Sequence, residues 1–193
     1  MGKISNRDRI LSEGLKVVHE QGYAGASVRD IVSAAGVPQG SFTNHFSSKE
    51  AFGLEVLDIY YADVKARMVR TLEDAATSPL QRMRNWIGAV KAAVGEKDMK
   101  AGCLVGNFSA EATNCDSRIR HRLADILTEM QGTISACLSA AVEAQELPQG
   151  FAVYETSCFI LSSLQGSILM SKAHRDCGPF DHFEQVLFAK VLR

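Results

Sequence analysis

The sequence predicts an all-α chain, with a small N-terminal three-helix unit of helix-turn-helix form followed by a larger helical domain. Three observations predict it. Helix formers dominate the 193 residues and only four are proline; apolar positions recur at three- and four-residue spacing while period-two runs are absent; and cap residues punctuate the chain at helical intervals. With 46% hydrophobic and 22% charged residues, the composition is that of a folded chain and excludes a disordered one.

The first helix is expected from about Asn6 to Gln21, where Ile10, Leu11, Leu15, Val17 and Val18 keep helical spacing and Gly22 closes it. After the turn GYAGA comes the stretch SVRDIVSAAGVPQGSFTNHFSSKE, Ser27 to Glu50. Ser27 with Asp30 reads as a capping box, Gly36 as a left-handed stop and Pro38 as the first residue of the next helix. Val28, Ile31, Val32 and Ala35 form one buried face, and Phe42 and Phe46 are i,i+4 partners turned inward. The outward positions of the short helix are then Gln39, Ser41, Thr43, Asn44 and His45, side chains able to hydrogen-bond base edges or phosphates. Ser47 with Glu50 reads as a second capping box.

A long helix is expected from Ser48 to about Ala76, apolar on more than one side and so buried on more than one side. Thr77-Ser78-Pro79 breaks it. A helix from Pro79 to about Val94, a polar loop to Gly102, a short apolar helix from Cys103 to Thr113 and an amphipathic helix from Ser117 to about Glu146 come next. Leu147-Pro148-Gln149-Gly150 ends the last of these. Helices from Val153 to Lys172 and from Phe180 to Leu192 complete the chain. Their combined apolar surface exceeds what a monomer leaves wet, and Ser162, Ser163, Gly166 and Ser167 allow close approach, so a homodimer through the two C-terminal helices is expected. The division into domains is placed at residues 1–50 and 51–193.

The formal charge of −1 excludes nonspecific adhesion to polyanions. Up to Lys49, six basic residues (Lys3, Arg7, Arg9, Lys16, Arg29, Lys49) face four acidic ones (Asp8, Glu13, Glu20, Asp30), a local excess of two positive charges. Lys3, Arg7 and Arg9 stand at the start of the first helix, where its dipole prefers acids, which makes them candidates for an external phosphate as well as a solvated face. No run approaches the ~20 apolar residues that cross a bilayer, so a cytoplasmic protein without a membrane partner is expected. Five cysteines at wide spacing without a CxxC pair suit neither a disulfide framework nor a zinc site, and no motif asks for a cofactor or metal.

The block from Gly22 to Phe52, GYAGASVRDIVSAAGVPQGSFTNHFSSKEAF, resembles the TetR family of transcriptional regulators, and the resemblance extends over the full length. Its landmarks are the glycine-aromatic pair, the Ser cap, I-x-x-x-A-G-V, the glycine-bearing recognition helix ending in His-Phe, and K-x-x-F. The resemblance implies an N-terminal DNA-binding domain and a C-terminal ligand-binding and dimerisation domain, acting as a repressor on a palindromic duplex operator. It implies that Ser27 and Arg29 approach backbone phosphate, that Gln39, Gly40, Ser41, Thr43 and Asn44 enter the major groove, and that His45 and Lys49 hold phosphate. Thr43 stands where the family usually has tyrosine, and Gln39 where close relatives often have lysine.

A narrower likeness joins AGCLVGNFSAE, Ala101 to Glu111, and GSILMSK, Gly166 to Lys172, to a subgroup that includes regulators responding to electrophiles and acrylate-like compounds. It implies a sensing thiol at Cys103 and a neighbouring amine at Lys172. Cys103 also has a physical case, since it stands at the start of a helix after a loop bearing Lys97 and Lys100, which favours thiolate; retention for packing is the alternative. Cys137 and Cys158 sit mid-helix among apolar neighbours, the setting of inert thiols. Reversible binding of a small apolar effector near Trp86, Phe108, Phe159 and Leu164, with Asn107, Gln165 or Lys172 at its polar end, is the other expectation; core packing is the plainer role of those aromatics. A thiol-dependent enzyme using Cys103 is a rival, but it needs a base, and His19, His45, His121, His174 and His182 are scattered. A helical adaptor is a third reading; it leaves the polar recognition helix unexplained.

Overall fold

Helix α1 (Asn6–Gln21) starts where the Ser5 hydroxyl accepts the Asp8 N–H at 3.1 Å, and stops at Gly22, whose φ of +81° favours a residue without a β-carbon. The computed structural model describes residues 5–96, 99–111 and 117–193. In α2 (Val28–Ala34) the expected capping box is formed: Ser27 Oγ accepts from the Asp30 N–H at 3.1 Å, and the Asp30 carboxylate accepts from the Ser27 N–H at 3.0 Å and from its hydroxyl at 2.5 Å. Those bonds, the hydroxyl's first, hold the Asp30 carboxyl below its ordinary pKa. Gly36 has the left-handed φ of +61°, and the Val37 N–H closes the motif on Val32 C=O at 3.1 Å.

Two boundaries differ from the expectation. Helix α3 (Gly40–His45) begins two residues after Pro38, which instead accepts the Ser41 N–H on its carbonyl at 2.9 Å in the preceding turn. Helix α4 (Lys49–Leu72) is capped by Ser48, whose hydroxyl accepts from the Ala51 N–H at 3.0 Å, rather than by Ser47. Phe46, extended at φ −130° and ψ 127°, carries the chain out of α3 with its own ring buried, and Glu50 is drawn to Arg118.

The chain divides into two compact units, each discontinuous in sequence. The first comprises Met1–Ala62 with Leu104–Ala124, so the short helix α6 (Leu104–Ala110) and the first turns of α7 (Ser117–Glu143) belong with α1, α2 and α3. Ile10, Val18, Ile31, Phe52, Leu57, Leu104, Phe108 and Ile119 are buried in it. Ion pairs tie α7 to α4 within this unit: the Arg118 guanidinium spans both oxygens of Glu50, and Arg122 Nε donates to Asp58 at 2.7 Å.

The second unit comprises Asp63–Cys103 with Asp125–Arg193. It holds α5 (Pro79–Gly95), α8 (Val153–His174), α9 (Gly178–Val186) and a closing π-helical turn (Leu187–Val191), with the C-terminal parts of α4 and α7. Met83, Trp86, Ile87, Ile126, Ile134, Leu138, Ile160 and Phe180 are buried here. The first turn of α5 lacks a side-chain cap from Ser78; the Glu146 carboxylate, 66 residues away, accepts the Leu80 N–H at 2.7 Å in its place. Helix α9 is held to α5 by Lys91 with Asp181 and by Arg84 with Glu184 at 3.5 Å, and the π-helical turn is held there by the Arg84 guanidinium, 3.6 Å from the centroid of Phe188.

Other ends move for local reasons. Helix α4 stops at Leu72, short of Ala76, because Asp74 takes the Ala76 N–H at 3.1 Å and the Thr77 hydroxyl at 2.6 Å into a side-chain turn. Helix α7 stops at Glu143, and Gln145 turns left-handed at φ +60°. Helix α8 runs on to His174, and the last helix starts at Gly178. Cys103 precedes α6 rather than opening it. The expectations for Lys3, Lys97, Thr113 and Cys115 lie outside the described residues. Among the described residues there is no strand, and no helix is long and apolar enough to cross a membrane.

Candidate functional site

Helix α3 is fixed by an aromatic floor. The rings of Phe42, Phe46 and Phe52 lie 5.2, 5.5 and 5.4 Å apart, and all three are buried. With Phe42 and Phe46 turned in, the helix phase leaves Gln39, Gly40, Thr43, Asn44 and His45 exposed and Ser41 half-buried. The space beside Gly40 is open, so a second molecule can reach the backbone there. Thr43 Oγ1 donates to Gly40 C=O at 3.1 Å, which leaves its oxygen as an acceptor and its methyl as an apolar contact. This is a short helix with a polar, unobstructed outer face on a rigid support, suited to the edges of bases in a groove.

The flanking cations divide differently from the sequence expectation. Arg7 pairs with Glu55 and lies 5.5 Å from the Phe46 ring, while Arg9 Nη2 donates to Gly36 C=O at 3.4 Å. Both are therefore engaged within the protein. Lys49 Nζ lies 4.7 Å from the Tyr23 ring centroid and 3.4 Å from Ala24 C=O, also an internal position. Both donors of Ser27 go to Asp30, so Ser27 serves α2 as a cap. Arg29 and His45 are exposed.

The residues expected to surround an effector are divided between the two units. Cys103 is half-buried, and Gln165 Nε2 of α8 donates toward its sulfur at 3.6 Å. Lys172 is half-buried two helical turns beyond Gln165, an axial rise of about 10 Å. Trp86 and Leu164 are packed core of the second unit. Phe108 and Asn107 lie on α6 in the first unit, where Phe108 stacks on Tyr23 with centroids 5.0 Å apart. Phe159 is exposed in an open groove of about 570 Å³ on α8 and α9, lined also by Met170, His174, His182, Phe183 and Val186. Within the second unit, Cys103 and Gln165 form a close pair, and Phe159 belongs to an outer apolar groove.

The other thiols differ in kind. Cys137 is buried and donates to Pro79 C=O at 3.3 Å, and burial pushes its thiol up to about 11. Cys158 is half-buried and accepts from Gln131 Nε2 at 3.1 Å. No cluster of three potential metal ligands occurs among the described residues. The contacts that sequence reasoning missed are those of Arg118, Arg122 and Glu111. A partial signal existed for two of them, since Arg118 and Arg122, four apart, share one face of α7.

Comparison with known proteins matches this architecture. Residues 10–56 match the family described as bacterial regulatory proteins of the tetR family, and residues 79–187 match the tetracyclin repressor-like C-terminal domain. The HTH-type transcriptional repressor DhaR of Mycobacterium sp. strain GP1 is 35% identical over 192 residues, covering 100% of this chain and 95% of that protein. The HTH-type transcriptional repressor NemR of Escherichia coli K12 is 27% identical over 59% of this chain and 57% of its own. Among solved structures, regulatory protein TetR from Rhodobacter sphaeroides superposes with a TM-score of 0.89 at 25% identity, covering 94% of this chain and 96% of that one. The reduced form of E. coli NemR superposes at 0.80 with 22% identity and 92% coverage of each. An exposed polar helix on an aromatic floor, joined to a second helical unit and matched along both by the same family, has one explanation: this chain belongs to the TetR family of bacterial transcriptional regulators, DNA-binding proteins with an N-terminal helix-turn-helix and a C-terminal helical domain.

Proposed function

We propose that the protein is a homodimeric repressor whose two α3 helices read a palindromic operator, and that a small molecule or thiol-reactive electrophile acting at Cys103 releases it. The reading divides the work between residues 1–50, which contact DNA, and residues 51–193, which bind effector and partner. The observation that carries it is the outer face of α3: Gln39, Gly40, Thr43 and Asn44 are exposed while Phe42 is fixed inward. Arg29 and His45 supply phosphate contacts beside it. Two reading heads one helical turn apart, about 34 Å, would occupy successive major grooves. The repressors DhaR and NemR, similar in sequence, support repression as the mode of action.

For the sensing step, the half-buried Cys103 sulfur beside Gln165 is the favoured thiol. With an α,β-unsaturated carbonyl, the sulfur forms a bond to the β-carbon and the proton lost from the thiol ends on the α-carbon, so no oxidant is consumed. Lys172 provides a cation for a carboxylate or for the developing enolate. An effector releases the operator only to the extent that it prefers the form that does not bind DNA.

Two measurements test this reading. Fluorescence anisotropy with a duplex selected by the protein from a random library should show affinity falling with salt, and replacing Thr43 and Asn44 together with Ala should weaken binding at least tenfold, at about 1–3 kcal/mol for a good base contact. Equal affinity of this variant and wild type would remove α3 as the reading helix. Treatment with N-ethylmaleimide at pH 7 should weaken DNA binding, Cys103→Ser should bind DNA and lose that response, and mass mapping should find Cys137 unmodified, because its thiol stays protonated below about 11. A full response in Cys103→Ser would place the sensor elsewhere.

A further inference from the structure

Helix α6 ends on the turn that leads into the DNA-reading helices. At Glu111, just beyond its last residue, the carboxylate accepts the Ala24 N–H at 2.6 Å. The second carboxylate oxygen lies over Gly22, where a β-carbon would collide with it. Between these two points Tyr23 turns its ring onto Phe108 of α6, with centroids 5.0 Å apart. From the other side α4 closes on the same turn: Gly53 lies so near that a β-carbon there would stand 2.6 Å from Tyr23 Cε2, and Lys49 reaches both the Tyr23 ring and Ala24 C=O. The Gly22–Ala24 turn is thus gripped by side chains from two sides, with Glu111 on its Ala24 N–H and Lys49 on its Ala24 C=O.

The turn sets where α2 begins. The Ala26 N–H bonds to Gly22 C=O at 3.1 Å, Ala26 is fully buried, and Ser27 caps α2 immediately after it. Arg29, an exposed cation in the first turn of α2, is carried by the same short segment. A shift of the turn moves the α2 N-terminus, and with it the phosphate contacts that set the register of α3 in the groove.

We propose that Glu111 is a positioning residue for DNA binding: its carboxylate fixes the Gly22–Ala24 turn and, through that turn, the place of the α2 N-terminus against the DNA backbone. The proposal rests on α3 being the reading helix. Glu111 does not touch DNA. An N–H held by a carboxylate is a charge-assisted bond, stronger than a neutral one, and its acceptor can be kept or removed by substitution.

The test uses the full-length protein, Glu111→Ala and Glu111→Gln, with the duplex selected by wild type from a random library, titrated by anisotropy over a range of salt. Glu111→Ala should raise Kd about tenfold and lower the slope of log K against log salt by about one phosphate contact, with little change in Tm. Glu111→Gln, whose amide oxygen can still accept the Ala24 N–H, should bind within about threefold of wild type with the wild-type slope. Wild-type Kd and slope in Glu111→Ala would overturn the proposal. So would a loss of affinity in both variants with an unchanged salt slope and a lowered Tm, since that is the signature of general destabilisation. Failure of the α3 reading itself is seen separately, as wild-type affinity in the Thr43 and Asn44 double substitution.

Discussion

Gly14→Val will abolish operator binding, and Gly14→Ala will weaken the DNA-reading unit even though alanine is the better helix former. Gly14 lies in the interior of α1, where glycine costs about 1 kcal/mol relative to alanine. The reason for it is on the facing helices. A β-carbon at this position would stand 2.6 Å from Phe52 Cζ and 2.9 Å from Ile31 Cγ2, and both of those side chains are fully buried. Phe52 has nowhere to go, because its ring is packed on Phe42 and Phe46 and is the floor beneath α3. Overpacking by one methyl costs about 1–3 kcal/mol, which exceeds or cancels the gain in helix propensity, so Gly14→Ala should lower Tm by a few degrees and raise Kd severalfold. Valine adds two more carbons, forgoes the propensity gain and displaces the floor itself. Its DNA affinity should fall more than a hundredfold, while Trp86 fluorescence, which reports on the other unit, keeps its folded spectrum. Anisotropy and a thermal melt measure both outcomes; wild-type binding by Gly14→Val would refute the packing of α1 on Phe52.

Local chemistry made the first fifty residues legible. The Ser27 and Asp30 pair, Gly22 and Gly36 act through neighbours only a few positions away, so a cap or a left-handed residue can be read without knowing the fold. The phase of α3 was legible for the same reason, since Phe42 and Phe46 fix which side faces out. Ser47 and Ser48, by contrast, are equivalent by pattern, and the choice of Ser48 goes with the burial of Phe46 and the capture of Glu50 by an arginine 68 residues away. The start of α5 likewise depends on Glu146, which no local pattern announces. The effector residues were the least legible part. Trp86, Phe108 and Phe159 stand on three helices with no common period, so their apolar character could not separate core from groove. Apolar side chains of α8 fall on more than one side of the helix, and its sequence could not assign Phe159 to an outer face.

That outer face carries the other large effect. Helix α8 leaves Leu169 67% and Met170 53% exposed, with Tyr154 and Phe159 also outward, and α9 adds Val186 beside the groove. Apolar side chains concentrated on two adjacent helices are what a two-fold interface needs, because each contributes twice when the face meets its own copy. The proposed dimer therefore predicts that Phe159→Glu with Met170→Glu converts a species of twice 21.0 kDa into one of 21.0 kDa by light scattering. Both side chains are exposed in the protomer, so circular dichroism should show unchanged helicity; the charges cost nothing until a second copy tries to desolvate them. Operator affinity should then fall by two to four orders of magnitude, roughly the gain from presenting a second reading head at high effective concentration. Val69→Glu provides the contrast: Val69 is apolar and exposed on α4 and does not line this groove, and its substitution should leave the dimer and its DNA affinity intact. A Phe159→Glu, Met170→Glu protein that remains dimeric at micromolar concentration would move the interface off α8 and α9.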